Sequence, residues 1–561
     1  MISLDSTNPA NPGTGGAATL VGRTLLVSSL GTAAGVRENW TNHFNSIPAA
    51  VTAAQSGDVI VIAPGTYSVS TNIAKNGVSY RSFGSVTIEY SGSSFLFNCA
   101  GFTDGLTVDG MFTFRIQAPG LGCFNLTTAF AFSARWDVIR LESGQAFNIQ
   151  SNSWPTLMLT GDIYSSSSVE AVNVACGATE INFFGNLLQS TNSVGVSVVG
   201  TGLLFTWTGN MRTWFASNTE VLLYVGGAET VTINGNIEAD FIGKAIRLAL
   251  AGASVVVNGF IRGAVTDVTN NVNENNLNSF VCTGEFYGAY FGSGQCRAVF
   301  SGNVPGLFQI TSADSHVTVN GNFTRGGWQA FDISAGVLVV NGDLDRTDPL
   351  PSSITGGLVS LNGNWVSSQA QYLNIKGQIY LGAGTLRLSA AMQNTGSGPG
   401  SSCVHYEGGI LILQGSSMFV SGDSPPIIST LGSSPIDVRV YGDVENVDSV
   451  APRAQEYTYT IVNALGALYE ISLDATPYAY VPAPGDTVNL IAAGLAALIT
   501  DPAFNVAVLS NVITVQAVVP GTLFVDGIVA GAITRAVVSH NHVGLNNVVT
   551  GTVIITDPDV L

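Results

Sequence analysis

Charge is what this sequence has least of. Asp, Glu, Lys and Arg make up 10% of its 561 residues, and Lys plus Arg number 19 against 37 Asp plus Glu. A net charge of −18 and a pI near 4.5 argue against a nucleic-acid partner, whose phosphates demand clustered Lys and Arg. No basic run is present, which argues against an anionic membrane partner. Cysteine is scarce as well: Cys99, Cys123, Cys176, Cys282, Cys296 and Cys403 contain no CxxC pair. Neither a zinc site nor a redox motif is indicated, and the six read as small buried apolar side chains. No apolar run approaches the roughly 18 residues of a membrane-spanning helix. Met1-Ile-Ser-Leu-Asp5 lacks the basic region and apolar core of a secretion signal, so synthesis in a cytoplasm is expected.

What the chain does have is one returning phrase. It reads Val231-Thr-Ile-Asn-Gly-Asn-Ile237, Val255-Val-Val-Asn-Gly-Phe-Ile261, Val317-Thr-Val-Asn-Gly-Asn-Phe323, Leu338-Val-Val-Asn-Gly-Asp-Leu344 and Val359-Ser-Leu-Asn-Gly-Asn-Trp365. Looser copies centre on Gly110, Gly161, Gly185, Gly209, Gly284, Gly302, Gly377 and Gly442. The residues two before and two after each Gly are apolar in every copy. Alternation of this kind is the strand period, and Asn-Gly supplies a tight bend because Gly takes positive φ freely. Stacked hairpins would return at about 8–12 residues. These phrases return roughly every 18–26 residues, which is the signature of a solenoid. The expected fold is therefore all-β, a right-handed parallel β-helix. Its Gly corners stack about 4.8 Å apart, with apolar columns inside and an Asn ladder along the bend. A composition of 46% hydrophobic residues with 65 Gly and 20 Pro fits an ordered solenoid and excludes a disordered chain.

In order, residues 1–23 read as an N-terminal arm rich in Pro, Gly and polar residues. Residues 24–450 are the shaft. It opens with a strand at Leu25 and a capping helix over Asn45–Gln55, with Ser46 as N-cap, Pro48 in the first turn and Ile47, Val51 and Ala54 on one face. Gly57 stops that helix. Phrase spacing shortens after about residue 290, which predicts a narrower coil or a lost loop. Gly396–Ser402 and Asp423–Pro426 read as excursions from the coils. Residues 455–530 form a small α+β module: strands at Tyr457–Val462 and Leu468–Ser472, a helix over Thr487–Ile499 with Asp486 as N-cap, a hairpin over Val506–Val515 and a last strand at Pro520–Val525. Residues 531–561 are an apolar, nearly charge-free C-terminal tail suited to an oligomer contact.

The stretch Ala49-Ala-Val-Thr-Ala-Ala-Gln-Ser-Gly-Asp-Val-Ile-Val-Ile-Ala-Pro-Gly-Thr-Tyr67 resembles the opening coil of the pectate-lyase-like β-helix superfamily. Val27-Ser-Ser-Leu-Gly-Thr-Ala-Ala-Gly-Val-Arg37 is similar to the lead-in of bacteriophage tail-spike and tail-fibre members. The resemblance implies a virion protein that displays or binds a host-surface polysaccharide and contacts other tail or capsid proteins. A polysaccharide lyase or glycoside hydrolase on the same fold, and a capsid or neck decoration without ligand, are its alternatives. The calcium-binding Asp cluster and catalytic Arg or Lys of the lyases are not visible as a motif. The module's strand–strand–helix–strand order looks like a small domain of phage tail and sheath proteins. An apolar tail and an uncapped shaft end, both uncomfortable in water, imply a homotrimer.

Candidate chemistry is sparse. Glu238 and Asp240 share a coil and could form a glycosidase carboxylate pair, which needs about 5–9.5 Å between groups. In register, however, Glu238 sits three after its Gly, as do Arg212 and Arg262 in the flanking coils, so an Arg–Glu–Arg ladder would disarm it as a general acid. Asp343, Asp345, Arg346 and Asp348 form the densest charge cluster, readable as a sugar- or cation-binding rim or as a solvated turn. Asp162, Glu285 and Asp443 fall at ladder positions in separate coils, too far apart to pair. Trp214 and Trp328 are candidate sugar platforms, whereas Trp207 belongs to the inward column. His540-Asn-His542 lacks companion ligands for a metal. No cofactor is implied.

Overall fold

The computed structural model describes residues 22–32, 43–151, 156–177, 179–191, 193–213, 221–239, 244–249, 252–267, 278–304, 306–323, 329–346, 350–367, 377–395, 402–414, 417–420, 427–429, 437–441, 445–446, 454–519, 524–539 and 552–555. The protein is nearly all-β, with two helices among these residues and a parallel β-solenoid of about 12 turns, as in pectate-lyase-like β-helices. It divides into two compact units, residues 1–184 and 185–561.

The first unit begins with strand Thr24–Thr32, which pairs in parallel with Val59–Ile62. Between them lies helix Ile47–Ala53, capped as expected by Ser46, whose hydroxyl accepts the Ala49 N–H at 3.4 Å. Its buried face is Ile47, Ala50 and Ala54, while Val51 is half-exposed. The helix packs on the first three strands. Asp58 joins these pieces. Its buried carboxylate accepts the N–H, Nε and Nη2 of Arg23 at 2.9, 3.0 and 2.5 Å, and the N–H of Gln55 at 2.7 Å.

Later coils of this unit repeat a strand, a bend and a second strand, then a third strand on another side. The third strands are Phe95–Asn98, Gly122–Leu126, Gln145–Gln150 and Val172–Ala175, in parallel register. Alternation sends Phe97, Phe124 and Phe147 inward, where their rings stack at 4.8 and 4.9 Å with planes 8° apart. Each such buried ring contributes about 2–3 kcal/mol. Asn98, Asn125, Asn148 and Asn173 take the next position. Each amide donates to the Oδ1 of the Asn one coil back, at 2.8, 2.8 and 3.1 Å.

In the second unit the Gly-centred phrase behaves as the register predicts up to Gly363. Trp207, Ile233, Val257, Cys282, Phe300, Val319, Val340 and Leu361 before the corner are buried, as are Met211 to Trp365 at the matching positions after it. Corner glycines stack directly. A Cβ on Gly209, Gly235, Gly259, Gly284, Gly302, Gly321, Gly342 or Gly363 would lie 1.8–2.4 Å from the carbonyl oxygen of the corner below. From Gly235 onward none of these corners is in the left-handed region, so Gly serves backbone approach there and not positive φ. Positive φ is used at another corner, where Gly336, Gly357, Gly384 and Gly409 stack with φ of 71–83°.

Coil length changes as expected after residue 290, but only for a while. Ladder bonds between adjacent coils span 24–26 residues around Asn210, 19–21 between Asn303 and Asn364, and 27 from Asn364 to Ala391. Gly377 is not a corner. It starts strand Gly377–Leu381 on a different side, and the corner after Gly363 is made by Ala390 and Ala391, since Trp365 pairs with Met392. Gly442, the excursions after Thr395 and around Asp423, and the N-terminal arm before Gly22 lie outside the described residues.

The C-terminal module is larger than the sequence suggests. Strand Glu456–Ile461 is flanked by Val512–Ala517 and by Ile533–Ser539, all antiparallel, with Phe504–Leu509 at the edge. Tyr469–Leu473 pairs with Thr476–Tyr480, a strand not anticipated, and with Asp526–Ala530. Helix Val488–Leu498 is capped by Thr487, whose Oγ accepts the Leu490 N–H at 3.4 Å. Asp486, the anticipated cap, instead accepts from the Tyr480 hydroxyl at 2.9 Å and the Ala483 N–H at 2.7 Å. Two strands of the stretch expected to form an oligomer contact are used within the chain: Ile533–Ser539 completes the module, and Thr552–Ile555 pairs antiparallel with Val438–Tyr441 of the last coils.

Candidate functional site

The first unit carries an outward face built from the two strands that flank its bends. Sequences such as Val86-Thr-Ile-Glu-Tyr90 and Phe112-Thr-Phe-Arg-Ile116 send Val, Ile, Phe and Tyr inward and leave Thr, Glu and Arg outside. Parallel register then lines the outside residues into columns. One column runs Arg81, Asp109, Arg135, Thr160, Phe184. The other runs Ser68, Glu89, Arg115, Arg140, Tyr164. Strand Phe132–Leu141 passes through both columns without a break, bulging between Arg135 and Val138.

The two columns are satisfied differently. In the first, charge alternates along the axis, and Arg135 donates through Nε to Asp109 at 2.6 Å. In the second, Arg115 reaches Glu89 at 3.3 Å, and Arg140 has its guanidinium carbon 4.9 Å from the centre of the Tyr164 ring. Arg140 forms no ion pair with a described residue. Met158 and Phe184 are among the exposed large apolar side chains of the same face. The face offers guanidinium donors, hydroxyls and exposed aromatic or thioether surface on a rigid sheet.

The residues singled out from sequence fare unevenly. Glu238 stands in register between Arg212 and Arg262, as expected, and pairs with Arg212 at 3.6 Å. Asp343 is a rung of the corner ladder. It donates its own N–H to Asn322 Oδ1 at 2.9 Å, and its carboxylate accepts the Asn364 N–H at 2.8 Å. Asp345 lies in strand Leu344–Arg346, and its side chain is outside the described residues. Asp240, Trp214, Trp328, Asp348, Asp443, His540 and His542 are also outside them. Glu285 accepts from the Tyr287 hydroxyl. Trp207 is buried, and the six cysteines are free and buried.

One carboxyl of unusual state escaped the sequence reading. Glu229 is 1% exposed. Burial pushes its carboxyl up to about 7, against the pull of the backbone N–H groups of Glu229, Gly200, Gly226 and Gly227. None of those groups reaches hydrogen-bond geometry with its oxygens. Sealed in this way, Glu229 cannot meet a substrate. Among the described residues no group of three His, Cys, Asp or Glu could hold a metal ion, and no helix is long and apolar enough to cross a membrane.

The arginine face was hidden for a definable reason. The coil that contributes Arg135 and Arg140 lacks a corner Gly, because Trp136 makes its bend. The Trp136 indole fills the space beside Gly161, where a Cβ would meet Nε1 at 2.5 Å, and Nε1 donates to the Asp162 carbonyl at 3.0 Å. A register counted from glycines skips that coil. No family model matches the chain, and no curated protein matches it.

Proposed function

We propose that this chain is a structural virion protein of a bacteriophage, of the tail-spike or tail-fibre sort, that binds a host-surface glycan without cleaving it. The observation that carries the binding reading is the Arg115–Arg140–Tyr164 column: fixed guanidinium donors beside an exposed aromatic ring on a rigid sheet. Of the carboxylates on this face, Glu89 and Asp109 are each held by an arginine, which suits recognition and ill suits acid–base cleavage at those two. A coil-to-coil ladder of Asn amides and stacked glycines makes a shaft that resists unwinding, as a display protein needs.

Assembly as a homotrimer belongs to the same proposal, on grounds that differ from those in the sequence. Two strands of the tail are used within the chain, whereas the module exposes Leu465, Val481, Leu490, Leu509 and Val525 to solvent. Its helix Val488–Leu498 contains no charged residue. Surfaces of that kind mark a protein contact. The proposal is tested by adding fluorescently labelled protein to intact host cells before and after periodate oxidation of their surface glycans. Loss of labelling after oxidation is the expected result, and undiminished labelling would count against a glycan receptor.

A further inference from the structure

We propose that the ligand of the first unit is an acidic glycan, whose carboxylates are taken by Arg115 and Arg140 while a sugar ring lies along Tyr164. This rests on the glycan-binding reading and adds the chemical class and the place.

The argument begins with a charge pattern that folding alone does not explain. In the Arg81–Asp109–Arg135 column, neighbours on adjacent strands alternate in sign, which is how a parallel sheet stabilises itself. In the second column Arg115 and Arg140 are direct neighbours on adjacent strands, about 4.8 Å apart. Like charges so placed repel. Glu89 lies on the far side of Arg115 and offsets only that residue, while no described carboxylate pairs with Arg140. Asp162 and Asp137 belong to the same side of the unit, two residues before Tyr164 and three before Arg140.

The chemistry of the donors narrows the ligand. All four cations on these columns are arginines, the chain's usual cation, and the guanidinium plane matches a carboxylate bidentately in a way an ammonium cannot. The Arg140 guanidinium lies over the Tyr164 ring, its carbon 4.9 Å from the ring centre, a cation–π contact that keeps the two groups together. Tyr164 adds exposed aromatic surface beside these donors, while Met158 and Phe184 are exposed on the other side of the bend. An acidic glycan supplies both halves: anions for the arginine pair and a sugar face for the aromatic ring. The whole chain's net charge of −18 repels polyanions in general, which confines binding of one to a face such as this.

The test is a glycan array carrying polyglucuronate, hyaluronate and alginate oligomers beside cello-oligosaccharides and dextran. It is probed with the full chain and with Arg115→Gln, Arg140→Gln, Tyr164→Ala and the control Arg297→Gln. The expected result is retention on at least one uronate and on neither neutral glycan. Binding should weaken at least tenfold in Arg115→Gln and Arg140→Gln, stay unchanged in Arg297→Gln and fall steadily with salt. Thermal midpoints of the variants, read in parallel, separate lost binding from lost folding. Equal retention on cello-oligosaccharide, or a uronate affinity untouched in folded Arg140→Gln, overturns the acidic-glycan proposal and leaves glycan binding standing. Retention on no glycan overturns both.

Discussion

Asp343 shows how a residue's type can be legible in the sequence while its partners are not. Its sequence neighbours suggest a charged rim, yet its carboxylate takes the place of an Asn amide oxygen in a ladder running from Asn303 to Ala391. Sequence identifies the corner and its period; only the register shows that Asp and Asn are interchangeable there as acceptors. The stacked glycines carry a sharper demand. A methyl on Gly321 would sit 1.8 Å from the Gly302 carbonyl oxygen, so Gly321→Ala should destabilise the protein by about 2–3 kcal/mol. Gly105→Ala, whose methyl meets only Ala131 at 3.3 Å, should cost far less, and thermal unfolding of both variants checks the contrast. Glu229 makes a pH prediction. Its folded carboxyl is raised to about 7, so its contribution is favourable below the ordinary carboxylate range and is lost as pH rises through 7. Glu229→Gln should therefore stabilise the protein at pH 8 by on the order of 2 kcal/mol and have little effect at pH 4, as denaturant titration at both values would show.

At the scale of elements, the strands that alternate cleanly were legible and those set by long-range pairing were not. The helix over Ile47–Ala53 followed from Ser46 and Pro48. Thr476–Tyr480 carries no periodic signal of its own and becomes a strand because Asp474 and Ala475, both at positive φ, turn it back onto Tyr469–Leu473. Ile533–Ser539 was read as tail because its partner, Glu456–Ile461, is far away in sequence. The same remoteness explains the false corner at Gly377 and the hidden one at Trp136. The opening coil depends on the Arg23–Asp58 contact. Burial alone would raise the Asp58 carboxyl, but hydrogen bonds from the Arg23 side chain and from the N–H groups of Gln55 and Arg23 bring it below the usual carboxylate range. Stability from Asp58 is thus present above that range and lost as pH falls through the depressed value. Asp58→Asn should lower the unfolding midpoint at pH 7 and flatten the acid limb of the stability–pH curve. An unchanged acid limb would show that the coil opens elsewhere first.

At the scale of the whole molecule, a parallel solenoid of about 12 turns carries the proposed recognition face in its first unit, and the C-terminal module carries the proposed assembly surface. Leu465 and Leu509 are 91% and 82% exposed in the single chain. If the module is the trimer contact, the double variant Leu465→Asp/Leu509→Asp should sediment as a folded monomer with its circular dichroism unchanged. A variant that remains a trimer would move the contact to the solenoid. The fold class was readable because a solenoid repeats its instruction about 12 times. The binding face was not, because it is a property of register between coils and appears in no single stretch of chain.

The central claim, binding without cleavage, is tested most directly by incubating the purified protein with the glycan it retains and following new reducing and unsaturated ends over time. The account predicts that the glycan stays bound and that no new ends accumulate above the protein-free control. End release that grows with protein concentration and disappears in Glu238→Gln or Asp109→Asn would contradict it, and would make this solenoid a depolymerase.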